Sequence, residues 1–248
     1  MNRITIICCY NKEKQLNEML LHSLQTQCKD ICNNLILVSP TKEGFRSAAQ
    51  AFNTTIQNNW DKIEDIIIFC HQDIAFDNTL FLERIIQEFN NNPLQIIGFA
   101  GITSQGTVYS NLKYFRTKEY ITKNRLVEHK LSVESVDECC FATTKQVLQK
   151  ISFDEESCFH WHLYSVDLCY GAKILNIPSY IIPEQIYHKE YGKEGLYTDI
   201  NFLKTMWNLV LKYRKRTKCI YAPCYICTTN PYKALIRLLR TAIKNIII

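Results

Sequence analysis

The sequence predicts an α/β fold, a mostly parallel sheet flanked by helices with a helical, basic C-terminal extension, and three features predict it. Short apolar runs such as Ile4 to Cys9, Leu35 to Val38 and Ile66 to Cys70 alternate with segments of helical period. The third run empties directly into His71-Gln72-Asp73. Residues 200–248 hold ten Lys or Arg and no Asp or Glu, which leaves 19 basic and 24 acidic side chains in residues 1–199 of a chain whose net charge is +5. An unbroken β-branched run reads as a strand covered on both faces, as in parallel sheets. Strand, helix, strand, helix, strand then implies right-handed crossovers.

The elements follow in order. After the strand Ile4 to Cys9 and the step Tyr10-Asn11, Leu16, Met19, Leu20 and Leu24 mark one face of a helix from about residue 13 to 27. Leu35 to Val38 is a second strand, and Gly44 opens a helix on which Phe45, Ala48, Ala49, Phe52 and Ile56 recur at helical spacing. The strand at Ile66 is followed by an amphipathic helix, Leu80 to Phe89, and a strand, Ile96 to Ala100. Residues 103–130 lose the pattern and read as a long functional loop. Val133 to Phe141 reads as a strand containing the carboxylate pair Asp137-Glu138. A helix near 145–150, the segment His160-Trp161-His162, a helix from Tyr164 to Leu175 and the strand Ser179 to Ile182 complete the pattern.

With 248 residues and 47% hydrophobic side chains, the chain can build one α/β core with elaborations. The start is too short for a signal-peptide core, and no window approaches the roughly 18 uninterrupted apolar residues of a span, which places the chain on the cytoplasmic side. Cys8, Cys9, Cys70, Cys140 and Cys169 lie in apolar runs and read as reduced core thiols. Cys224-Tyr225-Ile226-Cys227, with Cys219 upstream, has the spacing of only half a zinc site. Because the cationic excess is confined to the tail, a nucleic-acid-binding surface is not expected, and an anionic partner for the tail is.

No G-x-G-x-x-G follows the first strand and no G-x-x-x-x-G-K-[ST] occurs, so any phosphate needs another neutraliser. The carboxyl end of a buried strand is where open α/β sheets bind ligands. An aspartate there can hold a divalent cation, because substrate oxygens and waters complete its shell. Asp73 is in that position, beside His71.

The stretches Ile6-Ile7-Cys8-Cys9-Tyr10-Asn11, Phe69-Cys70-His71-Gln72-Asp73, Tyr164-Ser165-Val166-Asp167-Leu168-Cys169 and Ile186-Tyr187-His188 resemble, in that order, the GT-A glycosyltransferases of the family 2-like group, over roughly residues 4–190. The resemblance implies a Rossmann-like GT-A domain over residues 1–198, with the basic helical extension at 199–248. It implies an enzyme of hexosyltransferase type, moving a sugar from a nucleoside-diphosphate sugar, by default a UDP-sugar, with inversion and with Mn2+ or Mg2+ bound. Asp73 matches the second carboxylate of the family's D-x-D motif and His188 a late histidine, which makes these two the metal ligands. His71 stands in place of the first carboxylate, with ribose or metal as its partner. Gln72 lies within the same donor-binding segment. Asp167 matches the acid that deprotonates the acceptor, and Asp137 a carboxylate under the donor sugar. Asn11 and Arg46 are donor-site candidates, Arg46 because a helix beginning near Gly44 places it beside a phosphate. Lys189 adds a charge for the leaving phosphate, and Trp161 a surface on which a sugar can stack.

The acceptor is read as a glycan or a lipid-linked saccharide. On the last helix, Lys233, Arg237, Arg240 and Lys244 recur at steps of four, three and four, and Leu235, Leu239, Ala242 and Ile246 line another face. Such a helix suits an anionic membrane surface, here the inner face of the membrane, or packs on its own domain with a solvated basic stripe. Two other functions share these residues: a non-catalytic nucleotide-sugar-binding scaffold, and a sugar-phosphate nucleotidyltransferase, although the latter's phosphate loop is not visible.

Overall fold

The computed structural model describes residues 3–27, 32–122, 125–189 and 199–247, with the side chains of residues 32–33 and 245–247, Ile246 among them, outside the description. The expected domain boundary at 198 falls at the edge of residues 190–198, which also lie outside the described residues. Strand β1 (Ile4–Cys9) leads to helix α1 (Glu13–Leu16), which widens into a π-helical stretch over Asn17–Leu21 and closes as α2 (His22–Leu24). Strand β2 (Cys32–Val38) precedes a one-turn helix, α3 (Pro40–Glu43), and α4 (Ala48–Asn58). Strand β3 (Ile66–His71) turns through Gln72 and Asp73 into β4 (Ile74–Phe76), followed by α5 (Phe81–Asn91).

Six short strands come next: β5 (Ile96–Gly98), β6 (Ala100–Ile102), β7 (Val108–Ser110), β8 (Leu112–Tyr114), β9 (Leu131–Val133) and β10 (Ser135–Val136). Then follow β11 (Cys140–Thr144), α6 (Lys145–Leu148), α7 (Tyr164–Ile174), β12 (Ser179–Ile181) and β13 (Ile186–His188). The C-terminal part is α8 (Ile200–Tyr213), the hairpin β14 (Cys219–Ala222) and β15 (Tyr225–Thr228), and α9 (Pro231–Ile247).

The central sheet runs β2-β1-β3-β11-β5-β12-β9. Strand β1 is parallel to both β2 and β3, while β11 enters antiparallel between β3 and β5. Period-2 alternation splits the apolar runs between two cores. Ile7, Ile67, Phe69 and Phe141 meet α4, α7 and α8 on one face, whereas Ile6, Cys8, Ile68 and Cys70 meet α1 and α5 on the other. Phe202, Met206, Leu209, Ile220 and Leu238 of the C-terminal extension belong to the first of these cores. The extension therefore shares the hydrophobic interior of the sheet domain.

Several sequence expectations shift. Asp137 and Glu138 lie in the turn between β10 and β11, so strand alternation does not set their directions. The expected strand 96–100 breaks at Phe99 into β5 and β6. Part of the expected loop 103–130 is strand, β7 and β8, each only three residues long and so too short to show a period. The helix expected from Gly44 begins at Ala48, capped by the Ser47 hydroxyl, which accepts the Gln50 N–H. Gly44 instead ends α3 in the left-handed region, φ 76°. Cys219, Cys224 and Cys227 form no three-donor metal group among the described residues, and the ten cysteines with described side chains are free. No helix among the described residues is long and apolar enough to cross a membrane.

Phe69 is a sensitive point of this packing, with its ring 4.9 Å from that of Phe52 and 5.2 Å from those of Phe141 and Phe153. Phe69→Ala is expected to cost about 3–5 kcal/mol through lost burial and the cavity left behind. Urea unfolding checks this as a lowered midpoint at unchanged slope.

Candidate functional site

The site begins where β3 ends. His71 is the last residue of β3, paired with Cys9 of β1, and its N–H donates to the Cys139 carbonyl. Asp73 completes the turn into β4, which pairs antiparallel with β13 so that His188 lies opposite Ile74. The Lys189 N–H donates to the Asp73 carbonyl at 3.1 Å and locks that register. One ligand atom from each of His71, Asp73 and His188 thus falls within 4.8 Å of the others, and His188 Nε2 stands 3.8 Å from Asp73 Oδ1. Two imidazoles and a carboxylate form a donor set that fits a manganese-like divalent cation better than magnesium.

Hydrogen bonds place the imidazole lone pairs. His188 Nδ1 lies 3.0 Å from the Lys189 carbonyl, which can only accept, so Nδ1 carries a proton and, in the neutral ring, Nε2 has the lone pair that faces Asp73. Tyr164 Oη donates its one proton to the Glu138 carbonyl at 3.1 Å. His71 Nε2, 3.0 Å from the same hydroxyl, must then donate to it, which leaves the lone pair on Nδ1. Burial also lowers the His71 pKa, outweighing the attraction of Asp73, and so favours the neutral, ligating ring.

A cleft of ≈ 590 Å³ opens beside this triad at the carboxyl ends of β1 and β3. Tyr10, Asn11, Lys12 and Gln15 line one side, Pro40, Thr41, Phe45 and Phe52 a second, and His71, Gln72, Asp73, Trp161, Tyr164 and Lys189 the rest. Gln72 ties the loop after β1 to the turn after β3. Its Oε1 accepts the Asn11 and Lys12 N–H groups, both at 2.8 Å, and its Nε2 donates to Asn11 Oδ1 at 2.9 Å. Asn11 and Gln72 therefore lie at the cleft as expected, each holding the other.

The remaining candidates lie elsewhere. Arg46 is exposed and borders a separate depression with Gln50, Glu155 and His160, because the helix that would aim it begins later than the glycine suggests. Asp137 caps its own turn, its Oδ1 accepting the Cys139 N–H at 2.9 Å, and its charge acts on His71. Asp167 is not brought to the cleft. It is 3% exposed, 2.7 Å from Lys212 Nζ and 2.8 Å from the Tyr213 hydroxyl. One turn earlier on α7, Tyr164 faces the cleft in its place. Burial raises the Asp167 pKa despite Lys212, and its contacts to Lys212 and Tyr213 brace α7 against α8.

Sequence reasoning missed Tyr164 and Lys212, and of the pair Asp137-Glu138 it preferred Asp137. Tyr164 was visible as the first residue of the matching motif. Lys212 had no local signal, since it lies 45 residues from its partner. Glu138 Oε1 accepts the N–H of Leu163, whose φ of 63° is left-handed, and so shapes the entry to α7. Its Oε2 is buried without a hydrogen-bond partner among the described residues. Burial first, and then Asp137, push the Glu138 pKa up to about 8.

A model of a glycosyltransferase-like family matches residues 5–185. No curated protein matches the chain. Among solved structures, GalNAc-T7 with UDP, GalNAc and Mn2+ superposes with a TM-score of 0.61 at 10% identity, over 86% of this chain and 48% of that one. The present chain thus spans about half of that protein's length. The mannosyltransferase PcManGT from Pyrobaculum calidifontis, in complex with GDP-Man and Mn2+, gives 0.57 at 13% identity over 98% and 73% of the two chains. TarS from S. aureus gives 0.54 at 12% identity over 87% and 40%. At such identities these likenesses show the fold, GT-A.

The brace at Lys212 is testable apart from any activity. Lys212 also binds Asp154 at 2.7 Å and keeps 33% of its side chain exposed, so Asp167→Asn leaves the ammonium compensated, whereas Lys212→Met strands the buried Asp167 carboxylate and is expected to cost about 3 kcal/mol in denaturant unfolding, the low end for breaking a buried pair. Burial opposes ionisation of Asp154, but Lys212 and Ser157 outweigh it and hold its pKa at about 2. A carboxylate whose pKa is lowered on folding stabilises above its unfolded pKa of about 3.9 and loses that contribution as the pH falls. The stability difference between wild type and Asp154→Asn should therefore be complete at pH 6 and close between about pH 4 and about 2, as read by denaturant titration across pH.

Proposed function

This chain belongs to the glycosyltransferase-like family whose model it matches over residues 5–185, and from that membership we propose that it moves a hexosyl group from a nucleoside-diphosphate sugar to a glycan or lipid-linked acceptor, with inversion. The observation that carries the proposal is the convergence of His71, Asp73 and His188 beside the cleft beyond β1 and β3, which His71 and Asp73 line. The similar structures hold UDP with Mn2+ in one case and GDP-Man with Mn2+ in another, which supports a donor of this class. A UDP-sugar is the default by family resemblance.

In this reading His71, Asp73 and His188 hold a divalent cation. Bound there, such a cation supplies a positive centre that stabilises the charge developing on the departing diphosphate. Lys12 and Lys189, both lining the cleft, add positive charge around the phosphates. Gln72 keeps the loop at Asn11 and Lys12 in one conformation before the donor arrives, so its ordering does not oppose binding. Phe45 and Pro40 offer an apolar wall to the nucleobase, and Trp161 a face for a sugar ring. Asp137 stands outside the cleft lining and acts on the site through its charge on His71.

One observation favours a second reading. With Asp167 engaged by Lys212, the cleft lacks the acid that the family motif places on this helix, as a non-catalytic nucleotide-sugar-binding protein would. Manganese-dependent release of free sugar from the donor supports the transferase, whereas donor binding without turnover across acceptors supports the binder.

Wild-type protein should gain thermal stability with MnCl2 and a nucleoside diphosphate together, since a ligand bound only to the native state raises its stability. Asp73→Asn and His188→Ala should each abolish the manganese-dependent part of that gain. Unchanged shifts in both variants would defeat the metal assignment. Tyr164→Phe removes the partner that sets the His71 tautomer and should weaken Mn2+ binding about 10–100-fold by calorimetry, with the fold retained.

A further inference from the structure

We propose that the outward face of α9 is a docking surface for an anionic lipid bilayer, on which the helix lies in the plane of the headgroups. This goes beyond the transfer reaction and does not depend on it.

Steps of 100° per residue divide α9 into three faces. The inward face is small: Ala234 and Leu238 are buried on the domain. Arg237 rests over the Tyr225 ring at 5.1 Å, and the Tyr225 hydroxyl meets Thr241 Oγ1 at 3.0 Å. These contacts fix the rotation of the helix. A second face then points away from the protein: Tyr232 is 82% exposed, Ile236 53% and Ile243 54%, while Leu239 at its edge borders a groove shared with Ile200, Leu203 and Trp207 of α8. The third face, beside it, carries Lys233, Arg240 and Lys244 along a groove that Ile236 borders.

Sequence periodicity alone grouped Leu235, Leu239 and Ala242 on one face. In the structure the domain takes Ala234 and Leu238 and turns Ile236 and Ile243 outward. A helix that served only to cover the core would turn its large apolar residues inward, and this one turns them out. Scattered exposed apolar residues are ordinary, but Tyr232, Ile236 and Ile243 on one face of one helix form a patch.

Charge selects the occupant. Residues 200–248 carry ten Lys or Arg and no Asp or Glu, so no carboxylate in this stretch offsets the row on α9. An apolar strip with cations along one edge is what an in-plane helix needs, with its apolar side chains at the acyl boundary and its ammonium and guanidinium groups at the phosphates. The core of a protein interface is instead depleted of lysine.

The test uses the full chain in co-sedimentation with vesicles of phosphatidylcholine alone, or of phosphatidylcholine with phosphatidylglycerol. Two variants separate the forces: Ile236→Ser with Ile243→Ser for the apolar face, and Lys233→Gln with Arg240→Gln and Lys244→Gln for the charges. Arg237 is left in place because it packs on Tyr225. Wild type should bind the anionic vesicles and lose at least about ten-fold in affinity on neutral ones or at 1 M salt. Each variant should lose at least about ten-fold on anionic vesicles while keeping the wild-type unfolding transition and the manganese response. Equal binding by wild type and both variants would overturn the proposal, as would wild type that ignores anionic vesicles. A wild-type dimer that becomes monomeric in the serine variant without any vesicle binding would assign the face to a second copy of the chain and overturn it too.

Discussion

Strand β3 leaves the sheet at His71 and returns two residues later as β4, and the antiparallel register of β4 with β13 sets His188 opposite Ile74. That pairing brings an imidazole 115 residues further along the chain to within 3.8 Å of Asp73. Register in a sheet is all or none, because a slip of one residue sends each side chain to the opposite face. The donor group therefore depends on a small three-stranded sheet, β4-β13-β8, as much as on the large one. The Lys189 N–H on the Asp73 carbonyl holds the same register at its open end.

Around this pairing the site is arranged in advance of any ligand. Gln72 occupies the two N–H groups of the loop after β1, and Tyr164 joins His71 to the Glu138 carbonyl. Each bond restrains a group at the cleft and settles a choice of proton position or loop conformation. Rigid elements that carry adjacent loops are the usual way a fold keeps a site ordered.

The C-terminal extension is part of the same arrangement. Lys212 and Tyr213 of α8 grip Asp167 of α7, the helix whose first residue, Tyr164, reaches the cleft. Removing Lys212 leaves the buried Asp167 carboxylate without its ionic partner, which is why such a contact resists piecemeal change. Beyond this brace the extension contributes Met206, Leu209 and Ile220 to the common core and leaves the outer side of α9 uncovered.

The apolar runs at Ile4 and Ile66 specified buried strands, and the position of His71-Gln72-Asp73 after the second of them pointed to the end of the sheet where the cleft opens, because both signals are local in the chain. The order of motifs through His188 carried the family as well. Tertiary structure decided the rest. Asp167 had the right place in its motif, but which side of α7 meets the cleft depends on how that helix packs against α8, and Lys212 gives no periodic sign of its role. Asp137 and Glu138 read as strand until the chain was seen to turn there, and Arg46 lost its expected place when α4 began at Ala48. Which face of α9 turns outward was settled in the same way, by the side chains that the domain buries, since periodicity shows that a helix has distinct faces and only packing shows which one is covered.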